Sequence, residues 1–478
     1  MKDRPVGAVA PHVLLLPLLA FAQFISAIDY NIVYVALPQI GRDVGFTDQS
    51  LQWVVSAYAV AFGGLLLLGG RASDLLGRRR MLALGLALYG AGSMLSGLAA
   101  GPGVLVAGRA VQGVGGALLL PAVLAIINNA FDAGAARIRA LTVWAAAGAV
   151  GLAAGSLLGG VLTSTLGWES VFFVNVPLVV IALVVTRVAV PADGRRDRSA
   201  RLDLPGGVVV TLGMTVLVLG LVEGPALGWT SARTLGAIVG GLLLTAVFVA
   251  WEARSSHPLM PLHLLRNRPL VVAMGSTFVF MGTFGTMYYV FTVYLQGVLG
   301  LTPLQTGFAF LPWAVLGIIG SRAADVVLRR RGVRFTLMGG MLVGSLGMVG
   351  LALGLSPEGS YWATLPGLVL LALGQALGFA SMFLAAGSRV EAREQGVASA
   401  MASTTQQIGS AIGLAVLLAV AAAVGGHATG GAQSVAGLRG ATFTAAGLAL
   451  VGMLVASRLP APARDAADAP EPPVAAAV

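Results

Sequence analysis

The chain has 478 residues, 57% hydrophobic and 10% charged, with a mean hydropathy of +0.89. Soluble domains carry about 25% charged residues, so the composition excludes an ordinary soluble fold and indicates an integral membrane protein. Despite a formal charge of +10, the chain has no Cys and a single lysine, Lys2. That excludes disulfides, thiolate metal sites, a G-x-x-x-x-G-K-[ST] phosphate loop and an intramembrane lysine Schiff base.

A helix needs about 20 mostly apolar residues to cross a bilayer. Fourteen such spans are read in chain order: 13–37, 51–70, 81–100, 103–127, 140–162, 171–190, 205–222, 234–251, 269–296, 304–320, 335–355, 361–386, 396–424 and 441–457. The first is longer than a signal-peptide core and reads as a spanning helix. Starting in the cytoplasm and alternating sides puts 25 of the 29 basic residues in cytoplasmic segments. Arg42, Arg233 and Arg439 fall outside, and Arg109 falls within a helix. Basic residues favour the cytoplasmic side, so the pattern predicts fourteen spans with both termini inside.

The first span holds an anomaly. From Val13 to Leu37, a stretch of 25 residues, Asp29 is the only charged one. A carboxylate at membrane depth costs a few kcal/mol. The second span opens with Trp53 and Tyr58, and the fourth contains the other intramembrane charge, Arg109. At about 1.5 Å per residue, Asp29 and Arg109 lie about 12 Å and 9 Å from the same surface. Facing helices would therefore pair them. Two readings stand: a proton-coupling pair, or a structural ion pair with Arg109 snorkelling outward. Gln112 shares the helical face of Arg109. In the fifth span, Gly151, Gly155 and Gly159 form two consecutive G-x-x-x-G steps, which permit close helix contact.

The ninth span is dense in aromatics, with Phe284, Tyr288 and Tyr289 on adjacent turns, and Gln375 lies within the twelfth. Aromatic walls with few polar groups suit hydrophobic or cationic ligands. Gln112, Trp53, Tyr58, Phe284, Tyr288, Tyr289 and Gln375 are thus the candidate substrate contacts, against the alternative that they are packing or interface residues.

Residues 71–80 (RASDLLGRRR) and 322–331 (RAADVVLRRR) align without a gap. Each follows an outside-to-inside span, which predicts two parallel six-helix halves with a helix pair inserted between them. The predicted division is a cytoplasmic N-terminus (1–12), a first bundle (13–190), a charged linker (191–204) and the inserted pair (205–252). A cytoplasmic loop (253–268), a second bundle (269–458) and a disordered cytoplasmic tail (459–478) complete it. At the repeat offset Asp29 falls on Phe280. Aligning Gln112 with Gln375 sets Ala372 opposite Arg109, so one half does without either charge.

GGRASDLLGRRR at 69–80 resembles the loop motif of the major facilitator superfamily, with Gly70, Asp74, Gly77 and Arg78 in place and Leu75 where Arg is frequent. AIDYNIVYVALPQI, LQWVVSAYAV, GRAVQGVGGA, GWESVFFVNVP and LTPLQTGFAFLP resemble its fourteen-helix drug:proton antiporter branch, of EmrB/QacA type. The resemblance implies an all-α membrane fold and alternating access. It assigns Asp29 and Arg109 to proton coupling, and Gly70, Asp74, Gly77 and Arg78 to a cytoplasmic gate. GAVGLAAGSLLGG resembles the antiporter signature, covering Gly151, Gly155, Ser156, Gly159 and Gly160. Ser156 replaces an expected proline, so a proline kink does not follow.

The function expected is proton-coupled export of hydrophobic or amphipathic drugs across a bacterial cytoplasmic membrane. The proton motive force supplies the energy and no cofactor is needed. The expected partners are a small hydrophobic or cationic substrate, protons and lipid; nucleic acid is not expected, and the chain is read as a monomer. The alternative is a metabolite facilitator or importer on the same fold. An enzyme is disfavoured by the absence of paired carboxylates, HExxH or a Ser-His-Asp arrangement.

Overall fold

The computed structural model describes residues 12–47, 50–131, 135–193, 203–255, 258–388, 390, 394–425 and 431–460. Most of the predicted linker and tail lies outside them. Every regular element among the described residues is helical. In lipid the backbone must satisfy its own hydrogen bonds, and a helix does so within one segment.

In chain order the helices are α1 (His12–Val44), α2 (Trp53–Leu76), α3 (Arg78–Gly97), α4 (Pro102–Ala130), α5 (Ala135–Leu166), α6 (Ser170–Phe173), α7 (Asn175–Ala189), α8 (Leu204–Leu227) and α9 (Ala232–Glu252). They continue as α10 (Arg268–Phe280), α11 (Thr286–Val293), α12 (Pro303–Ala309), α13 (Leu311–Gly354), α14 (Tyr361–Gly387), α15 (Gln395–Gly425) and α16 (Gly431–Ala456). Twelve helical stretches among the described residues are long and apolar enough to cross a membrane. One of them, Pro303–Gly354, runs for 52 residues and breaks at Gly332, whose φ of 76° lies in the left-handed region that glycine tolerates.

The repeated basic segments do not fold alike. The first breaks before its three arginines, at Gly77 with φ 106°, whereas the second stays helical through Arg329–Arg331 and breaks at Gly332. The ninth predicted span is not one regular helix either. Single π-helical turns at Met281–Gly285 and Tyr294–Val298 flank α11, a feature frequent at functional sites.

Packing follows the small residues. Along α5, an added Cβ at Gly151 would sit 2.8 Å from the Phe24 carbonyl, at Gly155 against the Ile28 carbonyl, and at Gly159 2.9 Å from the Ile32 carbonyl. The predicted glycine stripe is thus the contact of α5 with α1. Such close approach replaces the hydrophobic drive that lipid does not supply. The pair α8 and α9, predicted as an insertion, packs on itself, and α8 lies against α2 and α15. Asp203 ties its ends, accepting from the Gly206 N–H at 3.0 Å and from Trp251 Nε1 at 3.0 Å. Large apolar side chains such as Val184, Val188, Leu243 and Leu454 are exposed. On a soluble protein such a surface would drive association; here it matches hydrocarbon.

Candidate functional site

Only four acidic or basic side chains are buried among the described residues: Asp29, Arg109, Asp203 and Glu252. Asp29 and Arg109 meet. Arg109 Nη1 donates to Asp29 Oδ2 at 2.7 Å, with the side chains 3% and 1% exposed. Charges removed from water this completely need further partners to offset desolvation, and the neighbouring helices supply them. Gln112 Nε2 and Asn175 Nδ2 donate to Asp29 Oδ1 at 2.7 and 2.8 Å. Arg109 Nη1 also donates to Gln112 Oε1 at 2.6 Å, and its Nε to the Val54 carbonyl at 2.8 Å. The guanidinium lies over the ring of Tyr58 at 4.7 Å and near that of Phe172 at 5.9 Å, where the π faces favour a cation. Ser93 Oγ accepts from Gln112 Nε2 at 2.9 Å. The network thus draws on α1, α2, α3, α4, α6 and α7.

Its asymmetry has a chemical consequence. All three donors converge on the two oxygens of Asp29, which only accept in this network. Arg109 has acceptors besides Asp29, namely the Val54 carbonyl and Gln112 Oε1, together with two ring faces. Protonating Asp29 would remove one acceptor from Arg109 without leaving the cation bare. The residues that sequence alignment sets opposite them carry no charge: Phe280 stacks on Phe284 at 4.4 Å, and Ala372 is buried.

The other predicted residues divide. Tyr288 lies in an aromatic seam, stacked on Tyr34 of α1 at 5.8 Å and on Trp313 of α13 at 4.2 Å. Gln375 Oε1 accepts from Trp313 Nε1 at 2.6 Å. Tyr288 and Gln375 therefore belong to one aromatic cluster, while Tyr289 is buried beside Tyr288 on α11. Gln112 and Tyr58 belong to the charge network. Trp53 packs against a cluster that joins Ala59 and Val60 of α2 with Val218 and Val222 of α8 and Ala411 and Ala415 of α15. Phe284 fills the space left by Gly344 within the second half.

At the basic turn between α2 and α3, Asp193 holds the start of α3. Its oxygens accept from the backbone N–H groups of Arg79 and Arg80 at 3.0 and 3.1 Å. A side chain at Gly77 would occupy the space of that carboxylate. Asp74 is exposed and forms no ion pair among the described residues. It lines, with Arg78, a cavity of about 410 Å3. Gly70 is loosely packed, since an added Cβ there would lie 3.9 Å from Pro121, whereas one at its neighbour Gly69 would run into the Ala117 backbone. The carboxylate that fixes this loop is therefore not the one the motif singles out.

Ser156 takes part in the α1–α5 contact. Asn31 Nδ2 donates to the Leu152 carbonyl at 2.9 Å and, at 3.3 Å, to Ser156 Oγ. Gly160 faces away from α1 and meets the Pro303 carbonyl at 2.7 Å from an added Cβ. Leu304 N donates to Ser164 Oγ at 3.1 Å, and Gln296 Nε2 to the Val35 carbonyl at 2.8 Å. At the end opposite the basic loops, then, α1 and α5 touch the segment 296–304.

Sequence reasoning missed Asn175, Ser93, Asn31, Tyr34 and Trp313. Asn175 had a signal, a lone amide in the apolar run 171–190; Ser93 had none, since serine is ordinary in membrane helices.

Comparison with known proteins decides the class. The sequence matches the Major Facilitator Superfamily over residues 19–414. The chain belongs to the major facilitator superfamily. That membership makes it a multi-pass membrane transporter rather than an enzyme. Among curated relatives, the puromycin resistance protein of Streptomyces alboniger is 38% identical over 396 residues, covering 81% of this chain and 77% of its own. The cephamycin export protein of Amycolatopsis lactamdurans is 37% identical, covering 81% of this chain and 80% of its own. Among solved structures, the POT family transporter PepTSo superposes with a TM-score of 0.69 at 15% identity, covering 93% of this chain and 97% of that one. At that identity the likeness is one of fold.

Proposed function

We propose that this chain is a proton-coupled exporter of hydrophobic or amphipathic antibiotics in a bacterial cytoplasmic membrane, of the EmrB/QacA type. One observation carries the reading: a buried carboxylate whose ion partner keeps other acceptors when the carboxylate is protonated. Asp29 loads a proton when Arg109 withdraws to Gln112 and Val54, and releases it when the pair re-forms. A proton is worth about 2.3 kcal/mol per 100 mV and about 1.4 per pH unit. A force near 150 mV therefore sustains a substrate gradient of roughly 300-fold. The substrate class rests on the relatives, named for chemically different antibiotics, and on the uncharged aromatic seam of Tyr34, Tyr288, Trp313 and Gln375.

In this reading the membrane is crossed fourteen times. The 52-residue stretch divides at Gly332, and α3 crosses despite its three leading arginines. Both termini are cytoplasmic, the two six-helix halves flank the inserted pair, and the protein acts as a monomer. Gly70, Asp74, Gly77 and Arg78, braced by Asp193, form the cytoplasmic gate, and the contacts at the opposite end close the outer side.

The test is transport by purified protein in liposomes under an imposed proton gradient, with puromycin and cationic dyes as probes. Gradient-driven movement is expected, and Asp29→Asn should bind the probe yet fail to couple. Full gradient-driven transport by Asp29→Asn would overturn the assignment.

A further inference from the structure

Where the inserted pair meets both halves, the helices leave a space of about 150 Å3, apart from the Asp29 network. Its wall takes Leu67 from α2, Met214 from α8, Phe248 from α9, Met260 from the segment after α9, Met274 from α10 and Met401 from α15, and none of its lining residues is ionisable. Three threonines complete it. Two hydroxyls are engaged: Thr245 donates to the Gly241 carbonyl at 2.9 Å and Thr405 to that of Ala402 at 2.8 Å. The third is not. Thr404 Oγ1 is buried and has no hydrogen-bond partner among the described residues, although Thr404 lines the space.

Water suits this space badly. A buried water takes two to four hydrogen bonds, while apolar cavities of about 150 Å3 stay dry and admit benzene. An unmet hydroxyl in such a wall is satisfied by an acceptor on the guest. Methionine side chains adapt to different apolar shapes, and four of the chain's 14 line this one space. Access from lipid is open, since Val249 on the same wall is an exposed apolar side chain.

We infer that this space is a binding site for a neutral apolar group, of aryl-ring or acyl-chain size, carrying one hydrogen-bond acceptor that Thr404 serves as donor. The guest touches α2, the inserted pair and α15 together, so it bridges both halves. Two sources share this chemistry: the ester end of a lipid chain, and an amphipathic small molecule dissolved in the membrane. The site stands apart from proton coupling. Its test reads occupancy, so failure here leaves the exporter reading intact, and the reverse holds.

Benzophenone is the probe, having benzene-sized rings and one carbonyl acceptor, and inserting into nearby C–H bonds on irradiation. The full chain in phospholipid nanodiscs is irradiated with it, and adducts are mapped by peptide mass spectrometry. Adducts are expected at Met214, Met274 and Met401. They should fall about fivefold in Thr404→Val, the weight of one ordinary hydrogen bond, and return in Thr404→Ser. With the wild-type chain, acetophenone should compete several-fold better than ethylbenzene, which matches its shape without the acceptor. Equal competition by the two, or adducts spread over the lipid-facing surface without enrichment at these methionines, would overturn the site. Labelling that rises when lipid is stripped in detergent supports the site with lipid as its resident guest. Labelling indifferent to lipid supports it with a small molecule as guest.

Discussion

Asp29 and Arg109 could hold helices together or move protons, and the two roles separate at the level of single side chains. Removing one partner of a buried ion pair costs about 3–5 kcal/mol, whereas replacing both with apolar groups is often neutral. Phe280 and Ala372, aligned with Asp29 and Arg109 in sequence, are both buried and apolar, the version in which neither charge is present. Asp29→Leu and Arg109→Leu should each lower the melting temperature in detergent, and the double variant should recover most of the loss. If the pair couples transport, that stable double variant still fails to accumulate substrate under a proton gradient. Recovery of both stability and coupling would reduce the pair to architecture. Asn175→Ala is the milder case, removing one of three donors to a carboxylate. It should cost about 2 kcal/mol, the weight of a hydrogen bond to a charged group, seen as a lower melting point at unchanged expression.

Between elements, the α1–α5 contact decides the most. It carries Asp29 on one helix and, two residues on, Asn31, whose amide reaches Leu152 and Ser156 on the other. A side chain at Gly155 has no room against the Ile28 carbonyl, so Gly155→Val should lose folded protein in size-exclusion chromatography, as overpacking costs about 1–3 kcal/mol or more. Ser156→Pro is expected to be gentler than an ordinary interior proline at about 3 kcal/mol, because Asn31 already serves the Leu152 carbonyl that would be freed. Pairing it with Asn31→Ala should therefore cost more than the two single changes added, a coupling that melting curves of the four proteins measure. Strict additivity would show that Asn31 does not compensate.

On the scale of the molecule, α1 and α5 meet the segment 296–304 at the end opposite the basic loops, through Ser164 with Leu304 and Gln296 with Val35. Alternating access requires that end to part. With no native Cys, Ser164→Cys with Leu304→Cys gives a pair addressable by a short thiol cross-linker. Cross-linking should stop transport, and reduction should restore it. Transport that continues at full cross-linking would mean that this end need not open.

By itself the sequence determined the class. Apolar runs of bilayer length, arginines on alternate connections, a repeated basic segment and a G-x-x-x-G stripe each follow from local chemistry, so they are legible along one chain. Depth along two helices also set Asp29 level with Arg109, since rise per residue is fixed. Only the tertiary structure decided which faces meet. Helix rotation put Gln112 and Tyr58 into the charge network rather than the seam, turned Asn175 and Ser93 toward Asp29, and set Phe284 into the packing against Gly344. It also made Asp193, from a segment distant in sequence, the partner of the α3 start. Periodicity fixes what shares a face and how deep it lies, but the partner of that face depends on packing contacts made across the chain.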